Sequence, residues 1–276
     1  MNSNHPKTIT LPGKSDDSPI ILDQYLSKNP GLENHVVLMI PGFGAQKSRD
    51  GKGPFEHIAQ NVGCDAVILN NPEAGELITI ERLVQNVRES IEHLIKQYDN
   101  IHILGSSLGG LTGILAALPQ YDAFIDSVIL WASPLCNLPN IDRICQKKGE
   151  IYTVPAPNGL QIPVHKSTID FMQHSIEGAV LRRLERSRSF SGKIVLYAGE
   201  NDPLIPHSGI LQMKKSLDDI GIPLELVSLE HGHDVHNASG VREDTLLQIQ
   251  WAIQGTNSNT SFRERTLALK STSLES

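Results

Sequence analysis

The sequence predicts an α/β fold, a mostly parallel central sheet with helices on both faces. Three observations carry this. Short, near-continuous apolar runs alternate with segments of helical periodicity for most of the chain, as buried parallel strands and their crossover helices require. One such run meets a helical segment directly, through the glycine-rich turn Gly105-Ser106-Ser107-Leu108-Gly109-Gly110. The length, 276 residues with 39% hydrophobic content, suits one sizeable domain and is short for two.

The elements run in chain order. Residues 1–26, with Ile20-Ile21-Leu22, predict an antiparallel edge hairpin. Val36 to Ile40 reads as the first buried strand and Phe55 to Asn61 as the first helix. Ala66 to Leu69 is a second strand. Ile80 to Gln97 is an amphipathic helix, because Ile80, Leu83, Val84, Val87, Ile91 and Ile95 recur every three or four residues. Ile101 to Leu104 is a strand, Leu108 to Leu118 a helix and Val128 to Trp131 a strand.

There the alternation stops. From about Cys136 to Phe190 no buried-strand pattern appears, Pro155, Pro157 and Gly159 mark a turn, and Ile176 to Leu184 is helical. Residues 136–190 are therefore expected to be an insertion above the sheet, a lid. It is expected to pack over Ser107, with its apolar residues Ile151, Ile169, Phe171, Met172 and Leu181 lining or covering an apolar pocket there. It carries eight Lys/Arg against five Asp/Glu, including Arg182, Arg183, Arg186 and Arg188, which fits either a solvated helix face or an anion-attracting surface. The alternation resumes with a strand at Ile194 to Tyr197, a helix at His207 to Ile220, a strand at Leu224 to Leu229 and a helix at Glu243 to Ile253. Residues 1–254 thus form one domain, and 255–276, rich in Ser, Thr and Asn, are expected to be a disordered tail.

Composition excludes several classes. Aromatic content of 5% argues against a stacking surface for single-stranded nucleic acid, and a net charge of −7 against general nucleic-acid binding. Cys64, Cys136 and Cys145 are odd in number and form no C-x-x-C pair, so reduced thiols are expected, with neither a disulfide framework nor a zinc site. The N-terminus lacks the apolar core of a signal peptide, and no apolar run reaches the roughly 18 residues of a membrane span. A cytoplasmic protein with no integral membrane segment is the expectation.

The chemistry centres on Gly105-Ser106-Ser107-Leu108-Gly109, a G-x-S-x-G with a strand before it and a helix after it. Ser107 is the residue in frame, since Ser106 would need a glycine where Leu104 stands. Such a turn lifts the serine hydroxyl to a helix N-terminus, where backbone N–H groups face developing negative charge. A serine also needs a base, a group to orient that base, and oxyanion donors. Asp202, in Gly199-Glu200-Asn201-Asp202-Pro203, follows a strand on a proline-stiffened loop and is the acid candidate, with Glu200 as its rival. The base lies in Glu230-His231-Gly232-His233-Asp234-Val235-His236; His233, beside Gly232, has the least crowded backbone and is preferred to His231 and His236. The three histidines invite a metal reading. Val235 stands where the H-x-H-x-D-H ligand run has aspartate, and no further histidine completes the site, so no metal is expected. The loop Pro41-Gly42-Phe43-Gly44 offers the Phe43 amide, paired with that of Leu108, as the oxyanion donors.

Together G-S-S-L-G-G, P-G-F-G, A-G-E-N-D-P-L-I-P and H-G-H-D resemble the α/β-hydrolase fold superfamily, in particular its small lidded serine esterases and lipases. The likeness covers roughly residues 20–254. It implies Ser107 as nucleophile, Asp202 as acid and His233 as base, acting on a small-molecule ester or acyl substrate with no cofactor. Two segments depart from the pattern. Many members have His-Gly where Pro41-Gly42 stands, and an Asp-x-x-Gly-x-Gly-x-Ser run where this chain has Asn70 to Glu76. The same residues would serve a thioesterase or acyltransferase, and a non-catalytic binding protein on this fold is the reading from another class.

Overall fold

Strand β3 (His35–Ile40) shows how the sequence divides between two cores. Val36, Leu38 and Ile40 face one of them, and Val37 and Met39 the other. This is the period-two division of a strand covered on both sides. The computed structural model describes residues 6–13, 18–27, 29, 31–42, 53–70, 76–155, 161–187 and 190–254. Among them eight strands form the central sheet, in the spatial order β1 (Lys7–Leu11), β2 (Ile20–Tyr25), β4 (Asp65–Leu69), β3, β5 (Asn100–Ser106), β6 (Ile125–Trp131), β10 (Lys193–Gly199) and β11 (Leu224–Leu229). From β4 to β11 every neighbour is parallel. The first hairpin is antiparallel, as expected at the edge, and β2 joins it to β4.

Helices cover both faces. Helix α1 (Pro54–Asn61) and α7 (Ser239–Ile253) bury Phe55, Ile58, Val241 and Ile249 on one side. On the other, α2 (Ile80–Leu94), α3 (Leu108–Ala117) and α6 (His207–Asp219) contribute Val87, Ile91, Leu111, Ile114 and Met213. Thr79 caps α2 by accepting the Arg82 amide at 3.2 Å, and the helix ends at Leu94, three residues short of the expected end. Every residue of α3 is buried, which explains why its sequence has no polar face.

Residues 136–190 hold more structure than the sequence implied. A second, three-stranded antiparallel sheet forms from β7 (Gln146–Lys148), β8 (Ile151–Pro155) and β9 (Gln161–His165). Helices α4 (Lys166–His174) and α5 (Ile176–Arg186) follow. These strands escape a search for apolar runs because β7 is wholly exposed and β9 contains Pro163. The insertion is tied into the body: the Ile80 amide donates to Thr168 Oγ1 at 3.0 Å, and Ile176, Val180 and Leu184 join the main core. Of the residues expected to line a pocket, Ile169 and Met172 are used in that core instead, and Ile151 is 41% exposed. Phe171 and Leu181 pack partly buried against the core. Among the described residues no helix is long and apolar enough to cross a membrane. The expected tail, 255–276, and Arg188 lie outside the described residues.

Candidate active site

All six parallel strands point their C-terminal ends to one edge of the sheet, and the candidate residues follow those ends. Strand β5 runs into α3 with Ser107 as the single residue between them, at φ 50° and ψ −128°. A non-glycine residue in that region is strained and must be held by its surroundings. The Ser107 amide donates to the Trp131 carbonyl at 2.7 Å, and the Ser107 carbonyl accepts from the Gly110 amide at 3.1 Å. The glycines around it are required by space. A Cβ on Gly105 would stand 2.3 Å from Gly110 Cα, and one on Gly109 would stand 2.2 Å from the Ile40 carbonyl oxygen. Leu108 opens α3, so its amide belongs to the first turn, whose N–H groups have no partner within the helix. Phe43, the other expected oxyanion donor, lies outside the described residues.

Strand β10 delivers Asp202 and β11 delivers His233. The two loops meet closely: a Cβ on Gly199 would sit 2.1 Å from the Gly232 carbonyl oxygen, and the Asn201 amide donates to the His231 carbonyl at 3.1 Å. Asp202 Oδ1 accepts the amides of Leu204 and Ile205 at 2.8 and 3.1 Å, and Oδ2 accepts from His233 Nδ1 at 2.7 Å. Burial opposes the charge on Asp202, but the His233 hydrogen bond and the two amides outweigh it, and its pKa lies below the ordinary carboxylate value. An ionised carboxylate only accepts, so Nδ1 carries the ring hydrogen and Nε2 is the acceptor. Nε2 lies 2.8 Å from Ser107 Oγ, so the serine hydroxyl donates to it. The structure thus brings Ser107, His233 and Asp202 into one hydrogen-bonded chain, with Asp202 enclosed and the His233 side chain 31% exposed.

The rival candidates stand elsewhere. Glu200 is exposed. His236 stacks on Trp131 at 6.1 Å between ring centroids, and burial lowers its pKa. Among the described residues, His231, His233 and His236 do not assemble as metal ligands; the one group with suitably placed ligand atoms is His35, His102 and Asp126, at the opposite edge of the sheet. There His35 Nδ1 is 3.2 Å from His102 Nε2, whose other nitrogen is 3.0 Å from Ser127 Oγ, so the two rings satisfy each other in a hydrogen-bonded chain. Burial holds the thiols of Cys64 and Cys136 in the protonated form, with pKa values raised to about 12 and about 11. Sequence reasoning missed the amides of Leu204 and Ile205 that hold Asp202. Their signal was present in Asp202-Pro203-Leu204-Ile205, because an aspartate commonly accepts amides two and three residues ahead of it.

The sequence matches no family model and no curated protein. Solved structures do resemble it. The esterase domain of a Rhodothermus marinus protein superposes with a TM-score of 0.64 at 14% identity, over 90% of this chain and 98% of that one. Est1E from Butyrivibrio proteoclasticus does so with a TM-score of 0.62 at 16% identity, over 88% and 99%. A monoacylglycerol lipase from Paleococcus ferrophilus gives 0.61 at 14% identity, over 86% and 99%. The chain has the α/β-hydrolase fold.

Proposed function

We propose that this protein is a serine hydrolase that cleaves carboxylic esters through an acyl-enzyme intermediate, with Ser107 as nucleophile, His233 as general base and Asp202 as the residue that orients it. The observation that carries the reading is the His233 ring, engaged on both nitrogens, 2.7 Å from Asp202 and 2.8 Å from Ser107. That placement suits proton removal as the serine attacks. The ester substrate is an inference from the similar solved structures, which include an esterase domain and a monoacylglycerol lipase.

The steps derive from the positions. Ser107 Oγ attacks the acyl carbon while its proton passes to His233 Nε2. Asp202 stabilises the resulting imidazolium through Nδ1–H. The Leu108 amide, with that of Phe43 as the second donor expected from the sequence, holds the tetrahedral oxyanion. His233 returns the proton to the leaving alcohol, and water repeats the sequence on the acyl-enzyme. Every role is filled by the chain, so the scheme calls for no cofactor.

Labelling by a fluorophosphonate probe tests the reading. The wild-type protein should label and Ser107→Ala should not. Absence of labelling in both, together with ligand binding, would favour a non-catalytic binding protein. A panel of p-nitrophenyl esters and acyl-CoAs then separates ester from thioester cleavage, since both use the same residues.

A further inference from the structure

A cleft of about 1100 Å³ lies on the outer side of α3, between α2 and α5, and does not include Ser107. One wall is apolar, with Val84, Leu115, Phe171 and Ala179. Five arginines share the lining, Arg82 and Arg88 from α2 and Arg182, Arg183 and Arg186 from α5, against Glu76 and Glu81. The nearby carboxylates have partners of their own. Glu76 pairs with Arg82, Glu89 accepts from Gln85 at 2.7 Å, and Glu92 accepts from the Tyr121 hydroxyl at 2.8 Å.

Two independent features mark the basic end as more than a solvated helix face. Arginines from different helices converge on it, and after burial the charges of Arg88 and Arg186 are what lower the pKa of Arg183. A guanidinium does not escape such repulsion by losing its proton. Second, Arg88 Nε is buried without a hydrogen-bond partner, the condition in which a donor costs most. A bound anion would relieve the repulsion. A phosphate suits the set better than a carboxylate, because its three terminal oxygens and greater charge match several converging guanidinium forks.

We propose that this cleft binds an amphiphilic phosphate monoester, with Arg88, Arg183 and Arg186 around the phosphate and the Leu115, Phe171 and Ala179 wall against the adjoining hydrocarbon. The site is distinct from the serine. Arg183 Nη1 lies 3.5 Å from the Leu118 carbonyl at the C-terminal end of α3. Ser107 caps the other end, about 16 Å away along the helix axis. The proposal therefore stands or falls independently of the ester-hydrolase reading.

Calorimetric titration of the full-length protein with hexyl phosphate, inorganic phosphate and hexanoate at low ionic strength tests it, in wild type and in Ser107→Ala. Hexyl phosphate should bind saturably in both backgrounds, at least tenfold tighter than either other probe, and weaken with added salt. Arg88→Met and Arg183→Met should each weaken it at least tenfold. The exposed Arg186→Glu should do the same without loss of melting temperature, which guards against a folding artefact. Absence of saturable binding, equal affinity for hexyl phosphate and inorganic phosphate, or unchanged affinity in Arg186→Glu would overturn the proposal. Sedimentation with phosphatidate-containing vesicles identifies the source. Binding that Arg186→Glu abolishes supports a lipid headgroup, and binding of hexyl phosphate but not of vesicles supports a soluble monoester.

Discussion

Asp202→Asn removes one charge and exchanges one carboxylate oxygen for NH2 with the shape kept, and the surrounding hydrogen bonds dictate how the imidazole responds. Oδ1 accepts two backbone amides, at 2.8 and 3.1 Å, and Oδ2 faces His233 Nδ1 at 2.7 Å. An asparagine has one oxygen to offer. Turning it toward His233 would place its NH2 against the Leu204 and Ile205 amides in a site where the side chain is 1% exposed. Leaving those donors unpaired costs about 1–3 kcal/mol each, so the oxygen stays on the amides and the NH2 faces the imidazole. Nδ1 must then accept, the ring hydrogen moves to Nε2, and Nε2 presents a donor to a serine that needs an acceptor. The wrong tautomer costs about 10⁴ in kcat, or roughly 5.5 kcal/mol of activation free energy. Steady-state hydrolysis of p-nitrophenyl acetate measures this, with Ser107→Ala as the floor and thermal melting as the check on folding. A kcat within tenfold of wild type in a folded Asp202→Asn would refute the tautomer argument. Glu200→Gln, which alters an exposed side chain, should stay near wild type.

Four further outcomes are expected. His233→Ala should lower kcat by about 10⁴ or more, while His231→Ala costs far less; His236→Ala should lower the melting temperature through lost stacking on Trp131 more than it lowers the rate, and a full-sized rate loss in His236→Ala alone would move the base. Gly105→Ala sets a Cβ 2.3 Å from the Gly110 backbone and should cost about 1–3 kcal/mol or more in stability, read by urea denaturation; an unchanged midpoint would contradict the close approach. Burial, and then His35, lower the His102 pKa from 6.5 to about 3. Because the folded value lies below the unfolded one, this stabilisation is complete above about pH 6.5 and is lost as pH falls toward 3, on the order of 4 kcal/mol; comparing wild type with His102→Gln by denaturant titration across that range should show the difference narrowing, and parallel curves would argue against it. Half-buried Cys145 should react with a thiol reagent before Cys64 and Cys136, which are buried.

Much of this architecture was legible because parallel strands buried on both faces leave a local signature. Runs such as Val36 to Ile40 and Ile194 to Tyr197 need no distant information to be read as strands. The serine turn was legible for a related reason, since its strain demands small residues at fixed offsets. The features that escaped were set by contacts remote in sequence. Strand β7 has no apolar residue and exists through pairing with β8. Ile169 and Met172 looked free to line a pocket, yet the core claims them. The choice of Asp202 over Glu200 rested on loop chemistry, and its distances depend on Gly199 letting the β10 and β11 loops touch.

Backbone strain gives a second pointer to the site, independent of any sequence motif. Among the described residues, the two non-glycine residues with positive φ are Ser107 at 50° and Ala132 at 42°. They follow β5 and β6, which pair in parallel up to Ser106 and Trp131. Each such residue costs of order 1–3 kcal/mol and persists only where its neighbours over-determine it. Here they do: the Ser107 amide is bound to the Trp131 carbonyl, and the Ala132 amide to that of Tyr197, at 2.8 Å. The strain is thus carried across three adjacent strands, β5, β6 and β10, at the one edge where Ser107, Asp202 and His233 meet. A sheet with no task at that edge would gain stability by relaxing both turns. Holding Ser107 clear of the sheet, where His233 Nε2 reaches it, is what the strained geometry achieves.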